Sequence, residues 1–114
     1  MMKKIIPDCY WPSTEIGNYV SHETICVVNP YETPVDVRLT LFFEDRDKVS
    51  GYHVTVAPER AKHIRMDALL NNASDAIPHN VPYAVLVECE QELPVQYTRI
   101  DAARPGVALM TTIV

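Results

Sequence analysis

The chain has 114 residues and a formal net charge of −5, and apolar residues make up 47% of it against 22% that are charged. This length fits one domain that buries a core without disulfide or metal staples, and this balance of residues excludes wholesale disorder. Nine prolines against three glycines, in a chain rich in β-branched residues, favour short strands joined by rigid turns over long helices.

Several classes of protein can be set aside at this point. The apolar runs are too short to span a bilayer, and the N-terminal segment MMKKIIPDCYWP lacks the apolar core of a secretory signal. We therefore expect a cytoplasmic protein whose three cysteines, Cys9, Cys26 and Cys89, remain thiols. Their spacing matches no zinc-binding pattern, and an acidic chain does not bind nucleic acid through its net charge. No cofactor, metal or nucleic-acid partner is predicted.

Apolar and polar residues alternate along much of the chain, which is the pattern of a strand with one buried face. The segment VDVRLTLFF (residues 35–43) shows it most clearly. The predicted strands cover residues 21–29, 35–44, 52–57, 61–66, 83–90, 94–101 and 107–113, with at most one helical turn, near residues 67–72 and N-capped by Asp67. Turn residues separate these strands, and no amphipathic helix lies between them. The sequence thus predicts an all-β, single-domain antiparallel fold of seven or eight strands, a β-sandwich or a barrel.

The same alternation predicts which side chains form the core and which strand is left uncovered. The expected core residues are Val37, Leu39, Leu41, Val54, Val56, Val85 and Val87. The last segment, VALMTTIV (residues 107–114), carries no charge and is apolar on both faces. An uncharged strand at a sheet edge invites pairing unless something covers it. We therefore expect another subunit to bury part of this segment in a homo-oligomer.

Four polar residues define the candidate metal site. His22, Glu23, His63 and His79 carry the imidazole and carboxylate groups that zinc and similar ions prefer. Their spacing matches no metal-binding motif, and each residue alone is also explained as an exposed strand or loop residue. A metal-dependent enzyme that uses the three histidines is therefore kept as a third hypothesis, behind the two binding functions given below.

No motif of covalent catalysis is present. Cys89 alternates in register with Val85 and Val87, which is typical of a small buried side chain. The chain has no nucleophile elbow and no glycine-rich phosphate loop. No catalytic residue is therefore predicted, and the chain is not expected to be an enzyme.

Five segments, in order and spread from Ser21 almost to the C-terminus, together resemble a known family. They are SHET with Asn29 following, KHIR leading to Asp67 and Leu69, Ile77-Pro78-His79, PVQYTRID (residues 94–101), and Ala108-Leu109 through Thr112. In this order and spacing they resemble the sensory rhodopsin transducer family. Tyr97 stands where the family pattern has a histidine.

The resemblance implies a small soluble cytoplasmic antiparallel β-sandwich that is jelly-roll-like, spans residues 1–114 and assembles as a tetramer, with no established enzymatic activity. The family's founding member is proposed to take a signal from a microbial rhodopsin in the membrane, although many relatives have no known rhodopsin partner. The resemblance also implies that the polar residues of the matching motifs belong to one ligand-binding concavity. These residues are His22, Glu23, His63, Arg65, His79, Gln96, Arg99 and Asp101.

The predicted function is a binding or signal-relay module whose partner is a membrane receptor or a small polar ligand. In such a site the arginines would hold a carboxylate or hydroxyl-rich group, and Trp11 or Tyr97 would stack on a sugar ring. The alternative is a carbohydrate or small polar ligand-binding module unrelated to rhodopsin signalling. A purely structural alternative also stays open, in which the same residues form an ion-pair network that ties the two sheets or two subunits together.

Overall fold

Eight strands and one short turn make up the regular structure of the computed structural model, which describes residues 1–114. The strands are β1 Met2–Cys9, β2 His22–Asn29, β3 Val35–Phe43, β4 Val49–Val56, β5 Arg60–Arg65, β6 Tyr83–Cys89, β7 Val95–Asp101 and β8 Ala108–Ile113. A 3₁₀ turn, Met66–Ala68, follows β5. None of the helical structure is long or apolar enough to cross a membrane.

The strands form two four-stranded sheets. Sheet I has the order β1–β6–β3–β4 and sheet II the order β5–β2–β7–β8. Every neighbouring pair is antiparallel. This architecture confirms the predicted all-β antiparallel sandwich, with eight strands.

The core lies between the inner faces of the two sheets, in one cluster of 21 buried residues. Because side chains alternate across a strand, β3 and β6 contribute every second residue to this cluster, whereas β8 is exposed throughout and contributes none. Six of the seven predicted core residues are buried, namely Val37, Leu39, Leu41, Val56, Val85 and Val87. Val54 packs against the cluster but is only partly buried.

Strand β1 was not predicted from the sequence. Its pairing with β6 is interrupted, since Ile6 pairs with Val85 whereas Cys9, three residues later, pairs with Tyr83. The strand therefore carries one extra residue at Pro7-Asp8, which breaks the alternation. Proline is tolerated there because β1 is an edge strand and a bulge needs no ladder hydrogen bond from that residue.

The helical turn also differs from its prediction. It covers Met66–Ala68, and its N-cap is Arg65, which has an extended backbone and no capping side chain. Asp67 lies inside the turn, where its carboxylate accepts two hydrogen bonds from the Arg65 guanidinium, at 2.9 and 2.7 Å. The Asp67 carboxylate is thus held by an arginine rather than by the backbone N–H groups of the turn.

Candidate functional site

Glu23 is a charged residue in the interior of the sandwich. Only 1% of its surface is exposed, because it lies on the same inward face of β2 as the core residues Ile25 and Val27. Its Oε1 accepts a hydrogen bond from the Tyr83 hydroxyl at 2.5 Å, and its Oε2 accepts one from the Tyr10 backbone N–H at 3.0 Å. A buried carboxylate is costly unless such donors satisfy it.

A third donor, the Tyr97 hydroxyl, also bonds to Oε2 of Glu23. Tyr97 lies on β7, beside Glu23 in sheet II, whereas Tyr83 lies on β6 in sheet I. Tyr10 follows the end of β1, also in sheet I. The carboxylate therefore connects the two sheets through hydrogen bonds from both sides of the core. We call Glu23, Tyr83 and Tyr97 the buried triad.

Burial keeps both tyrosines of the buried triad in their neutral, donating form. It raises the pKa of Tyr83 strongly, and the neighbouring Glu23 raises this pKa further. Burial is also the largest cause of the raised pKa of Tyr97. Cys9 lies nearby, and burial together with Glu23 raises the pKa of its thiol. Cys9 is therefore held as a thiol and is not an activated nucleophile.

Arg99 lies next to the buried triad, and its side chain is partly exposed. It pairs with Glu23 in the β2–β7 register, and its guanidinium lies 3.6 Å from the carboxylate of Asp8 on β1. The Asp8 side chain is 81% exposed. Asp101 does not pair with Arg99, because its Oδ1 accepts a hydrogen bond from the Ala103 backbone N–H at 2.9 Å. Arg99 on β7 thus forms its ion pair with β1 of the other sheet.

A second group of predicted residues lies on the opposite, outer face of sheet II. His63 on β5 and Gln96 on β7 pair with the same β2 residue, Cys26, so the three side chains form one row across the sheet. Arg65 lies two residues along β5 from His63, on the same face, as the alternation predicted. The Arg65 guanidinium holds the pKa of Asp67 below its ordinary value, chiefly through the hydrogen bonds that it donates to the Asp67 carboxylate.

The remaining two histidines lie near the ends of strands. His22 begins β2, and its Nδ1 lies 2.9 Å from the Val20 carbonyl. His79 lies in the loop before β6, where its ring packs on that of Trp11 with centroids 3.6 Å apart. The Trp11 indole N–H in turn donates to the Ser21 carbonyl at 3.2 Å.

The eight predicted site residues do not share one concavity. Glu23 and Arg99 belong to the inward-facing side of sheet II, while His63 and Gln96 belong to its outer face. His79 is set apart by its contact with Trp11. The division follows from the strand registers: His63 and Gln96 pair with Cys26, which points outward, whereas Arg99 pairs with the inward-pointing Glu23.

The same geometry argues against the metal-binding alternative and against the stacking role expected of Tyr97. No group of three histidine, cysteine, aspartate or glutamate side chains is placed to hold a metal ion, so His22, His63 and His79 do not converge. Tyr97 is 1% exposed and bonded to Glu23, so its ring is not available to stack on a sugar.

Sequence reasoning missed the tyrosines as partners of Glu23. The sequence did contain one signal. Glu23 lies two residues from Ile25 on β2, and Tyr97 lies two residues from Val95 on β7, so alternation places both side chains on the inward faces of their strands. Tyr83 carried no such signal, since alternation along one strand does not show which residue of the other sheet lies opposite.

Comparisons with known proteins identify relatives over nearly the whole chain. The family model described as Anabaena sensory rhodopsin transducer matches residues 2–114. The crystal structure of Thermotoga maritima 1070 is 32% identical, with a TM-score of 0.82 over 97% of this chain and 90% of that one. The Anabaena sensory rhodopsin transducer is 31% identical, with a TM-score of 0.75 over 87% of each chain. No curated protein matches.

Proposed function

This chain belongs to the sensory rhodopsin transducer family, and we propose that it is a signal-relay module that acts by binding rather than by a chemical reaction. Its partner in this proposal is a membrane receptor of the sensory rhodopsin kind, met in the cytoplasm. The module works as a homo-oligomer, with a tetramer as the expected assembly.

The outer face of sheet II is the surface proposed to meet the partner. It combines the polar row of His63 and Gln96 with the half-buried Cys26, and Val28 adds an apolar side chain that is 43% exposed. A shallow depression of about 150 Å³ is lined by Cys26, Val28, Gln96 and Ile113 of β8, among others. Mixed polar and apolar surface of this kind is typical of protein interfaces that form and dissociate.

The single observation that carries the proposal is the exposure of β8, which continues this surface. The strand pairs only with β7, carries no charge, and is exposed along all six of its residues. Leu109 is 67% exposed and Ile113 is 76% exposed. Proteins normally protect such an edge with charges, prolines or a covering element. We propose that a second copy of the chain covers β8, leaving the β5–β2 part of the outer face for the receptor.

Binding to a microbial sensory rhodopsin in lipid nanodiscs tests the receptor half of the proposal. The wild-type chain should bind, and His63→Gln or Arg65→Gln should weaken binding because the first removes an imidazole and the second a guanidinium from the outer face of sheet II. His53→Gln is the matched control, since His53 is an exposed histidine of sheet I. Equal loss of binding in the control, or no binding by the wild-type chain to nanodiscs that contain rhodopsin, would contradict the proposal.

A further inference from the structure

The outer face of sheet I, on the other side of the molecule, contains a polar groove of about 320 Å³. Its walls are formed by β3, β4 and β6 together with Asn72 from the loop that follows the 3₁₀ turn. The acidic and basic residues in it are Asp36, Arg38, His53 and Glu88. None of these four was singled out as a candidate site residue from the sequence.

A bulge in β4 shapes the groove. Leu39 pairs with Tyr52 but Leu41 pairs with Val49, so β4 contains one extra residue at Ser50-Gly51. Gly51 has a φ of +88°, a conformation that residues with a side chain rarely adopt. Bulges of this kind occur often beside binding sites, where they redirect the strand.

The loop wall of the groove is fixed to this bulge by hydrogen bonds. The Asn72 backbone N–H donates to the Gly51 carbonyl at 3.0 Å, and the Asn71 side-chain amide donates to the Ser50 carbonyl at 3.2 Å. The Asn71 side-chain oxygen also accepts from the Ala73 and Asp75 backbone N–H groups. The groove is therefore formed before any ligand arrives, which lowers the entropic cost of binding.

Acidic and basic side chains lie side by side at the groove. Lys3, Glu88, Arg38 and His53 lie opposite one another in the strand registers and form a row across all four strands of sheet I. The guanidinium of Arg38 lies 3.7 Å from Glu90, and Lys3 lies 3.8 Å from Glu88. These separations exceed hydrogen-bond length, so the guanidinium and the Glu88 carboxylate retain bonding capacity toward the groove.

We propose that this groove binds a small zwitterion of the size of a free amino acid. The Arg38 guanidinium and the Asn72 amide supply donors for a carboxylate, and Asp36 and Glu88 supply acceptors for an ammonium group. Binding both ends at once requires a ligand that carries both charges a few ångströms apart. Besides His53, the groove is lined by one aromatic residue, Tyr52. Because Tyr52 is only 1% exposed, its ring is not available for a sugar to stack on.

Calorimetric titration with a panel of free L-amino acids tests the proposal. At least one should bind the wild-type chain, and its N-acetylated and methyl-esterified forms, each of which lacks one charge, should bind more weakly. Arg38→Gln and Asp36→Asn should each weaken binding about tenfold or more, since each removes one charged partner. Arg60→Gln is the control, because Arg60 is an exposed arginine of sheet II that bonds only to nearby carbonyl groups.

Amide chemical shifts of the wild-type chain give a second measurement that needs no variant. The bound amino acid should shift the Gly51, His53 and Asn72 resonances and leave that of His63 unchanged. The proposal is overturned if no amino acid binds, if a neutral sugar or a blocked amino acid binds equally well, if the two groove variants bind like the wild type, or if the shifts lie on sheet II. It is independent of the receptor surface proposed above, which lies on the opposite sheet.

Discussion

The hydroxyl of Tyr83 in sheet I donates a 2.5 Å hydrogen bond to the carboxylate of Glu23 in sheet II. The carboxylate thereby spans the apolar core, and Tyr97 and the Tyr10 backbone N–H bond to its other oxygen. Every buried side-chain nitrogen and oxygen atom of the protein has a hydrogen-bond partner. The residue that sequence reasoning assigned to a ligand site thus has its acceptors occupied by the protein itself, and this has consequences for stability.

Removing one hydroxyl of the buried triad should destabilise the fold. A hydrogen bond to a charged group contributes about 1.5–3 kcal/mol to the free energy of unfolding, so we expect a loss of that size for Tyr83→Phe and for Tyr97→Phe. Tyr31→Phe is the matched control, because the Tyr31 hydroxyl bonds to the Glu92 carbonyl at an exposed site. Urea unfolding measures all three. An equal, small effect of the three changes would show that the triad does not stabilise the sandwich.

Alkaline pH should unfold the chain through the same tyrosines. Folding raises the pKa of Tyr83 and Tyr97, so their contribution to stability is complete below the ordinary tyrosine pKa, about 10, and is lost as pH rises above it. Part of the phenolate absorbance should therefore appear only together with unfolding. In Tyr97→Phe the alkaline loss of stability should be smaller than in the wild type. Complete phenolate formation in a chain that stays folded would refute this.

Changing Arg99→Ala should cost less than removing a triad hydroxyl. The Asp8 side chain that faces Arg99 is 81% exposed, so water solvates it when the guanidinium is gone. An ion pair with one solvated partner contributes about 1 kcal/mol or less. We expect a folded variant with a slightly lower melting temperature. A loss of 3 kcal/mol or more, roughly the cost of breaking a buried pair, would show instead that Arg99 belongs to a buried ion-pair network.

The Arg65–Asp67 pair should contribute to stability only above acid pH. Its hydrogen bonds lower the pKa of Asp67, so the contribution is present above the ordinary aspartate pKa and is lost as pH falls through the lowered value. Because the arginine side chain is 46% exposed, the effect should be about 1 kcal/mol or less. Melting temperatures of Arg65→Gln and wild type should differ at neutral pH and converge below about pH 3. A difference that persists unchanged in acid would argue against the ion pair as its cause.

Alternation along single strands was enough to predict the sandwich, because every predicted strand except the last buries one face, and the last is exposed throughout. It failed at β1, where the bulge at Pro7 shifts the pairing and the edge position permits a proline. Alternation also indicates that Glu23 points inward with Ile25. It does not determine which strands become neighbours, and that pairing is what separates His63 from Arg99.

Charged residues placed on β8 should disrupt the proposed assembly. Leu109→Glu and Ile113→Glu each put a carboxylate on an exposed side chain that we expect another subunit to cover, and a buried unpaired charge disfavours association. Ile5→Glu is the matched control, since Ile5 is 58% exposed on β1, an edge strand of sheet I. Size-exclusion chromatography with light scattering should show smaller particles for the β8 variants and unchanged ones for the control. Identical masses for all four chains would rule out β8 as the contact.

Sedimentation velocity of the wild-type chain at micromolar concentration measures the proposed assembly itself, because the relay module is proposed to work through copies joined at β8. The monomer has a mass of 12.9 kDa. We expect a single species of several times this mass, and a tetramer in particular. A chain that sediments as a 12.9 kDa monomer would contradict this expectation.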